Sequence, residues 1–423
     1  MNKTNLKNKI GVGLATGALL LNSLAPMAFA STTIEISGNG AGSDNWVTLN
    51  QTSSTQVQQN NTANVTNNVD ADASTGGNDA NYNTGGDVTV DTGKANATAN
   101  VSNTLNSNSA DVDCCTAGST NVKIDGNGAN SDNGVALNQK TQTVVSQDNY
   151  ANVYNNVDAD AKTGYNDANG NTGGDVTVNT GNATADVSVS TVANVNSAKV
   201  GSGAGANSSA SFIISGNGAF SDNYIGATLA KRTVVTQDNY AHVNNNVDAD
   251  AKTGKNDANY NTGGDVVIDT GDATANAGVD NSVNFNFADI DCGCTWDVLA
   301  KISGNGAESD NHHSWWWWDS PDNIIEVTLA SEQLIGQGNN ADLNNDVDAD
   351  AKTGKNDAEL NTGEADGDPS VMTGNATSDT SVSNSGNVNS VGDFGPFDWP
   401  DFPSDVEFSF NFAAMLAFFG MSF

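Results

Sequence analysis

Paired aspartates are the residues best placed to do chemistry in this chain. The segment NNVDADAKTG occupies Asn155–Gly164 and recurs unchanged at Asn245–Gly254, with NNVDADASTG at Asn67–Gly76 and NDVDADAKTG at Asn345–Gly354. Asp158 and Asp160, and again Asp248 and Asp250, stand one residue apart ahead of a Thr-Gly pair. Clustered carboxylate and carbonyl oxygens are what Ca²⁺ requires, so these four are candidate calcium ligands. The EF-hand pattern itself fails. Counted from Asp158, position 5 is Lys162, position 6 is Thr163 and position 12 is Asn169, where that loop needs an oxygen ligand, glycine and glutamate. The Gly-Asp nonapeptide pattern fails too, because GGDVTV at Gly173–Val178 lacks the second glycine-aspartate pair. An irregular oxygen site stays open, since Asp158, Asp160, Asp167 and Asp175 fall within 18 residues. Plain solvation of an acidic face explains the same residues.

Other reactive side chains are few. Cys114, Cys115, Cys292 and Cys294 form two close pairs, at the same place in the first and third repeats described below. They are disulfide candidates, either as local bridges or as links between chains. His312 and His313 are adjacent, and adjacent side chains diverge in an extended chain, so a shared metal is disfavoured. They open the segment HHSWWWWDSPDN, in which Trp315 and Trp317 face opposite to Trp316 and Trp318 if the chain is extended. Those four tryptophans are candidate contacts for a glycan, a partner or a membrane surface; a plug over neighbouring strands would use them as well. No glycine-rich phosphate loop precedes a helix, no histidine sits beside a repeated acid, and no serine elbow occurs. His242 replaces Asn152 at one repeat position only, as a surface variant would. The expectation is a protein that is not an enzyme.

The elements that carry these residues repeat. SGNGA or DGNGA places Gly38, Gly126, Gly216 and Gly304 at steps of 88, 90 and 88 residues, and the valine of VDADA falls at 69, 157, 247 and 347. Four tandem units follow, 31–120, 121–210, 211–298 and 299–393, between a segment 1–30 and a tail 394–423. Within a unit the apolar period is two. Ala151, Val153, Asn155, Val157, Ala159 and Ala161 share one face, while Asn152, Tyr154, Asn156, Asp158 and Asp160 share the other. Thr163-Gly164, Thr172-Gly173 and Thr180-Gly181 punctuate the strands, and their glycines are expected to supply the positive φ of tight corners.

Short strands, glycine corners and small inward residues predict an all-β chain, a repetitive, β-helix-like β-solenoid of four tandem units of about 88 residues. The stretches NTGGDV, NNV and NVNS are natural places for asparagine ladders, in which stacked amides bond along the axis. If each unit makes about four coils, equivalent aspartates of successive units lie about 19 Å apart and the cysteine pairs about 38 Å apart. The first figure exceeds a Debye length of about 8 Å, so repulsion between copies is expected to be mild. The second exceeds the roughly 7 Å that a disulfide spans.

One rhythm resembles a known family. VVSQDNYANVYNNV at Val144–Val157 and VVTQDNYAHVNNNV at Val234–Val247 are similar to the Q-x-x-N-x-A-x-V pattern of curlin repeats, over about fourteen residues per unit. The wider unit, with TGxNDAN and NTGGDVTV, resembles secreted Asn/Thr/Gly-rich repeat proteins of candidate-phylum bacteria. The resemblance implies an extracellular structural role, and neither likeness carries a catalytic or binding residue over to this chain.

The ends and the charge complete the expectation. Lys3, Lys7 and Lys9, the apolar run Ile10–Leu21 and Ala28-Phe29-Ala30 read as a secretory signal peptide. The chain carries 15 Lys+Arg against 50 Asp+Glu; without the three signal lysines the balance is 12 − 50, or −38. Such a charge repels nucleic acid and anionic lipid and favours cations and basic partners. In the tail, Phe408, Phe410 and Phe412 alternate before a short apolar run, a pattern suited to strand addition and too short for a transmembrane helix. The expected protein is secreted to the cell surface or medium, and self-associates into a fibre or surface layer. The alternative is an adhesin with a glycan or surface partner on an acidic stalk, stiffened by calcium.

Overall fold

The computed structural model describes residues 31–113, 119–201, 208–291, 296–307, 323–363 and 369–392. Every regular element among them is a strand. The first repeat supplies β1 (Thr32–Ser37), β2 (Asp44–Ser74), β3 (Val88–Thr92) and β4 (Ala95–Asp113). The second supplies β5 (Ser119–Asp125), β6 (Asp132–Lys162), β7 (Val176–Thr180) and β8 (Ala183–Gly201). The third gives β9 (Ser208–Ser215), β10 (Asp222–Lys252), β11 (Val266–Thr270) and β12 (Ala273–Asp291). The fourth gives β13 (Trp296–Ser303), β14 (Asn323–Lys352), β15 (Ser370–Thr373) and β16 (Ala376–Val391).

These strands form four parallel sheets of four strands each, ordered β1-β5-β9-β13, β2-β6-β10-β14, β3-β7-β11-β15 and β4-β8-β12-β16. Each repeat is therefore one layer, and each strand pairs only with its counterparts in adjacent repeats. The register sets like on like: Asp70, Asp158, Asp248 and Asp348 are successive partners, as are Asn67, Asn155, Asn245 and Asn345. The expected four coils per unit are thus corrected to one layer per unit. Equivalent residues of successive repeats lie about 4.8 Å apart, where about 19 Å was expected. The strands that precede the two cysteine pairs, β4 and β12, are separated by β8 alone, a gap of about 10 Å where about 38 Å was expected. Cys114, Cys115, Cys292 and Cys294 themselves lie outside the described residues.

Alternation builds the core. Ala151, Val153, Asn155, Val157, Ala159 and Ala161 are buried as expected, and the intervening side chains face out. The end of β6 packs Val157, Ala159 and Ala161 against Ala183, Ala185 and Val187 of β8, within a cluster made only of alanine and valine. Toward the other end of the long sheet, Val135 and Leu137 meet Val122 and Ile124 of β5, with Phe212 of β9. Small residues let the two sheets approach closely, which gives the thin core that the composition implies. At about 3.3 Å per residue, a 31-residue strand such as β6 runs about 100 Å, whereas four layers span only about 14 Å between the first and the last. The assembly of sheets is a long, shallow slab.

The three Thr-Gly pairs divide by mechanism. Gly173 has φ +94° and makes a positive-φ corner as expected. Gly164 and Gly181 do not; a Cβ on Gly164 would overlap the carbonyl of Gly254 above, and one on Gly181 that of Gly93 below. Glycine is needed there because layers approach closely. Elsewhere asparagine takes the left-handed conformation, at Asn106, Asn194, Asn284 and Asn387 with φ between 54° and 65°. A short amide side chain tolerates that region better than most residues.

Candidate functional site

The acidic face is built by β2, β6, β10 and β14. Asp158 and Asp160 point outward two residues apart, above Asp70 and Asp72 and below Asp248 and Asp250. Burial against neighbouring strands raises the Asp158 carboxyl above its ordinary value, and the charges of Asp160, Asp248, Asp70 and Asp72 push the same way. Asp248 is raised for the same reason, first by burial and then by Asp250 and Asp348. A separation of about 4.8 Å lies inside the Debye length of about 8 Å, so the expectation of mild repulsion between copies does not hold. Two further columns behave alike. Asp167 and Asp257 stack in the Asp79–Asp357 column and are raised by burial and by their neighbours. Asp148 is raised by burial and by Asp238.

Lysine breaks the acid column. Lys162 donates to Asp160 at 2.6 Å, and Lys252 and Lys352 pair in the same way with Asp250 and Asp350. The hydrogen bond from Lys352 holds the Asp350 carboxyl below the usual carboxylate range. In the first layer Ser74 occupies this position. The sequence reading missed these lysines, although the signal was in the quoted segment: in DADAK the lysine stands two residues after the second aspartate, hence on the same face. The candidate calcium ligands Asp160 and Asp250 therefore already have a cationic partner within the chain. Among the described residues no group of three or more His, Cys, Asp or Glu side chains converges as metal ligands do.

Inside the slab the corresponding feature is amide ladders. Asn67 donates to Asn155 at 2.7 Å, Asn155 to Asn245 at 2.6 Å and Asn245 to Asn345 at 2.6 Å. A second column, Asn108 to Asn196 to Asn286 to Asn389, lies on the facing sheet. It is bridged to the first sheet by Asn149 and Asn239, which donate to Asn196 and Asn286. Glutamines run the other way: Gln147 donates to Gln59, Gln237 to Gln147 and Gln337 to Gln237. The NNV, NVNS and NTGGDV stretches all carry such columns, through Asn155, through Asn194 and Asn196, and through Asn171. Most of these buried amides thereby find the partners that their desolvation demands, although the side-chain nitrogens of Asn171 and Asn261 have none.

Aromatic side chains form the remaining outward feature. Tyr150 and Tyr240 stack with centroids 5.1 Å apart. Trp46 and Tyr224 stack at 6.2 Å across the layer of Gly134, whose missing side chain leaves room for the indole. Asp44, Asp132 and Asp222 line the same shallow groove. His242 pairs with Asp342 at 3.0 Å on the surface, between the third and fourth layers. Trp315, Trp316, Trp317, Trp318, His312, His313, Phe408, Phe410 and Phe412 lie outside the described residues. Among the described residues no helix is long and apolar enough to cross a membrane.

No family model matches the chain, and neither a curated protein nor a solved structure matches it. The class that the geometry defines is an all-β chain of parallel, repeat-paired four-stranded stacks.

Proposed function

We propose that the stacked layers form a β-solenoid and that the chain is a secreted structural protein, the subunit of an extracellular fibre or cell-surface layer. One observation carries this reading. Each layer pairs with the next through nearly its whole length, and among the described residues the outer edges of the first and fourth layers have no strand partner. An open edge of such length is a template for further strands. The signal-like start, the acidic charge and the curlin-like rhythm support an extracellular setting. The role is architectural, without a catalytic step, and the repeated acids keep the lateral faces soluble. Electron microscopy of the exported protein, with and without calcium, tests the reading. Fibres or ordered sheets are expected, and short particles that never associate at any concentration would overturn it.

The adhesin reading draws support from the exposed Trp46–Tyr224 stack beside Asp44, Asp132 and Asp222. Binding to a glycan array that is lost in Trp46→Ala would favour it.

A further inference from the structure

We infer that copies of this chain stack head to tail in register, the fourth layer of one copy receiving the first layer of the next at the same spacing that separates layers within a copy. The inference rests on the fibre reading and specifies its contact.

Glycines at the two ends point to the occupant. Gly76, Gly164 and Gly254 each lie where a Cβ would overlap the carbonyl of the next glycine in the column, Gly164, Gly254 and Gly354. Gly354, last in that column, has nothing within 4 Å of where its Cβ would be, and no positive φ. Nothing among the described residues requires glycine there, whereas a further layer above would. The opposite end behaves the same way in columns that point downward. A Cβ on Gly128, Gly218 or Gly306 would overlap the layer below, as would one on Gly181, Gly271 or Gly374. Their first-layer counterparts Gly40 and Gly93 have no neighbour within 4 Å among the described residues and no positive φ. Each end thus keeps a glycine at the positions where close approach of the other end would need one.

The amide columns give the stack its direction. Asparagines donate upward from Asn67 to Asn345 and from Asn108 to Asn389, while the glutamines donate downward from Gln337 to Gln59. On top, Asn345 and Asn389 therefore present amide N–H groups where Asn67 and Asn108 of a following copy present carbonyl oxygens, and the glutamines match in the reverse sense. Two upper ends brought together would set asparagine donors against one another, and two lower ends would set asparagine acceptors against one another.

The test uses the full exported chain carrying Gly354→Ala, which blocks the upper end, or Gly40→Ala with Gly93→Ala, which block the lower end. Far-UV circular dichroism and thermal melts of the isolated chains should match the unsubstituted protein, because neither change meets another atom among the described residues. Sedimentation and electron microscopy should show filaments for the unsubstituted chain and monomers for each variant alone. An equimolar mixture of the two variants should give dimers that grow no further, since one intact upper end meets one intact lower end. Thr66→Pro is a second lower block. Asp132 donates down to Ser43, and Thr66 has the same backbone orientation as Asp44, so its N–H points to the open side. Filaments from any of these variants, or homodimers of a single variant, would overturn the stacking while leaving the fibre reading intact. An unsubstituted chain that stays monomeric would overturn both.

Discussion

Asn155 shows what one side chain does in a like-on-like stack. It is fully buried, accepts from Asn67 and from Asn103, and donates to Asn245. Asn155→Ala leaves those partners without their bonds, and a buried orphan costs about 1–3 kcal/mol. The expected loss is about 2 kcal/mol in denaturant unfolding, with Asn345→Ala in the last layer costing about half as much, since Asn345 is only half-buried and water can replace its bonds. Equal losses at the two sites would contradict the ladder account. Asp280 is the converse. Its column neighbours are Ser190 and Ser383, burial raises its carboxyl, and its Oδ1 has no hydrogen-bond partner. Asp280→Ser should raise the melting temperature near neutral pH by a few degrees and have little effect in mild acid, where the proton already neutralises the carboxylate.

The elements were largely legible as a pattern and illegible as a size. Period-two alternation placed Val157, Ala159 and Ala161 inside and Asp158 and Asp160 outside, and the structure agrees. The number of coils per repeat was misjudged because alternation and glycine corners look the same whether a coil closes after about 20 residues or about 88. The deciding signal was in the recurrence itself. Ladders stack chemically like residues, so the period of identity, 88–90 residues between most copies, is the layer length. The lysine partners of the acid column were missed for a related reason, since attention to aspartate spacing left Lys162 out of the same face. At this scale the alanine-valine core between β6 and β8 also makes a prediction. Ala185→Leu adds volume where two sheets nearly touch, and overpacking of this kind costs about 1–3 kcal/mol, measurable as a lower unfolding midpoint.

For the molecule as a whole, the acid columns set the response to pH. Asp148, Asp158, Asp167, Asp248 and Asp257 are all raised above the ordinary value of 3.8, first by burial and then by stacked neighbours. A raised value means that the folded chain holds these protons more tightly than the unfolded chain does. Their contribution is complete below the ordinary value and is lost as pH rises through the raised one. Asp350, lowered by Lys352, acts in the opposite sense, losing its contribution as pH falls. The five outweigh the one, so the melting temperature should rise from about pH 7 to about pH 4, contrary to common acid denaturation. Added salt near neutral pH should recover part of that gain by screening the columns. A melting temperature that falls steadily on acidification would refute this balance.

The pairing of each strand only with a counterpart about 88 residues away has a consequence in time. No hairpin can form early, and every sheet contact must close a long loop first, which slows the search for the native state. A lone repeat has no neighbour on which to fold, so a one-unit fragment should remain a coil, with order growing steeply as a second and third unit are added. Once a finished layer exists, the next finds its register already written on the surface beneath it, and the slow step is the first encounter rather than each addition. If the chain is exported and stacks as proposed, it would cross a membrane most readily while still unpaired, and would acquire its shape where a template awaits it.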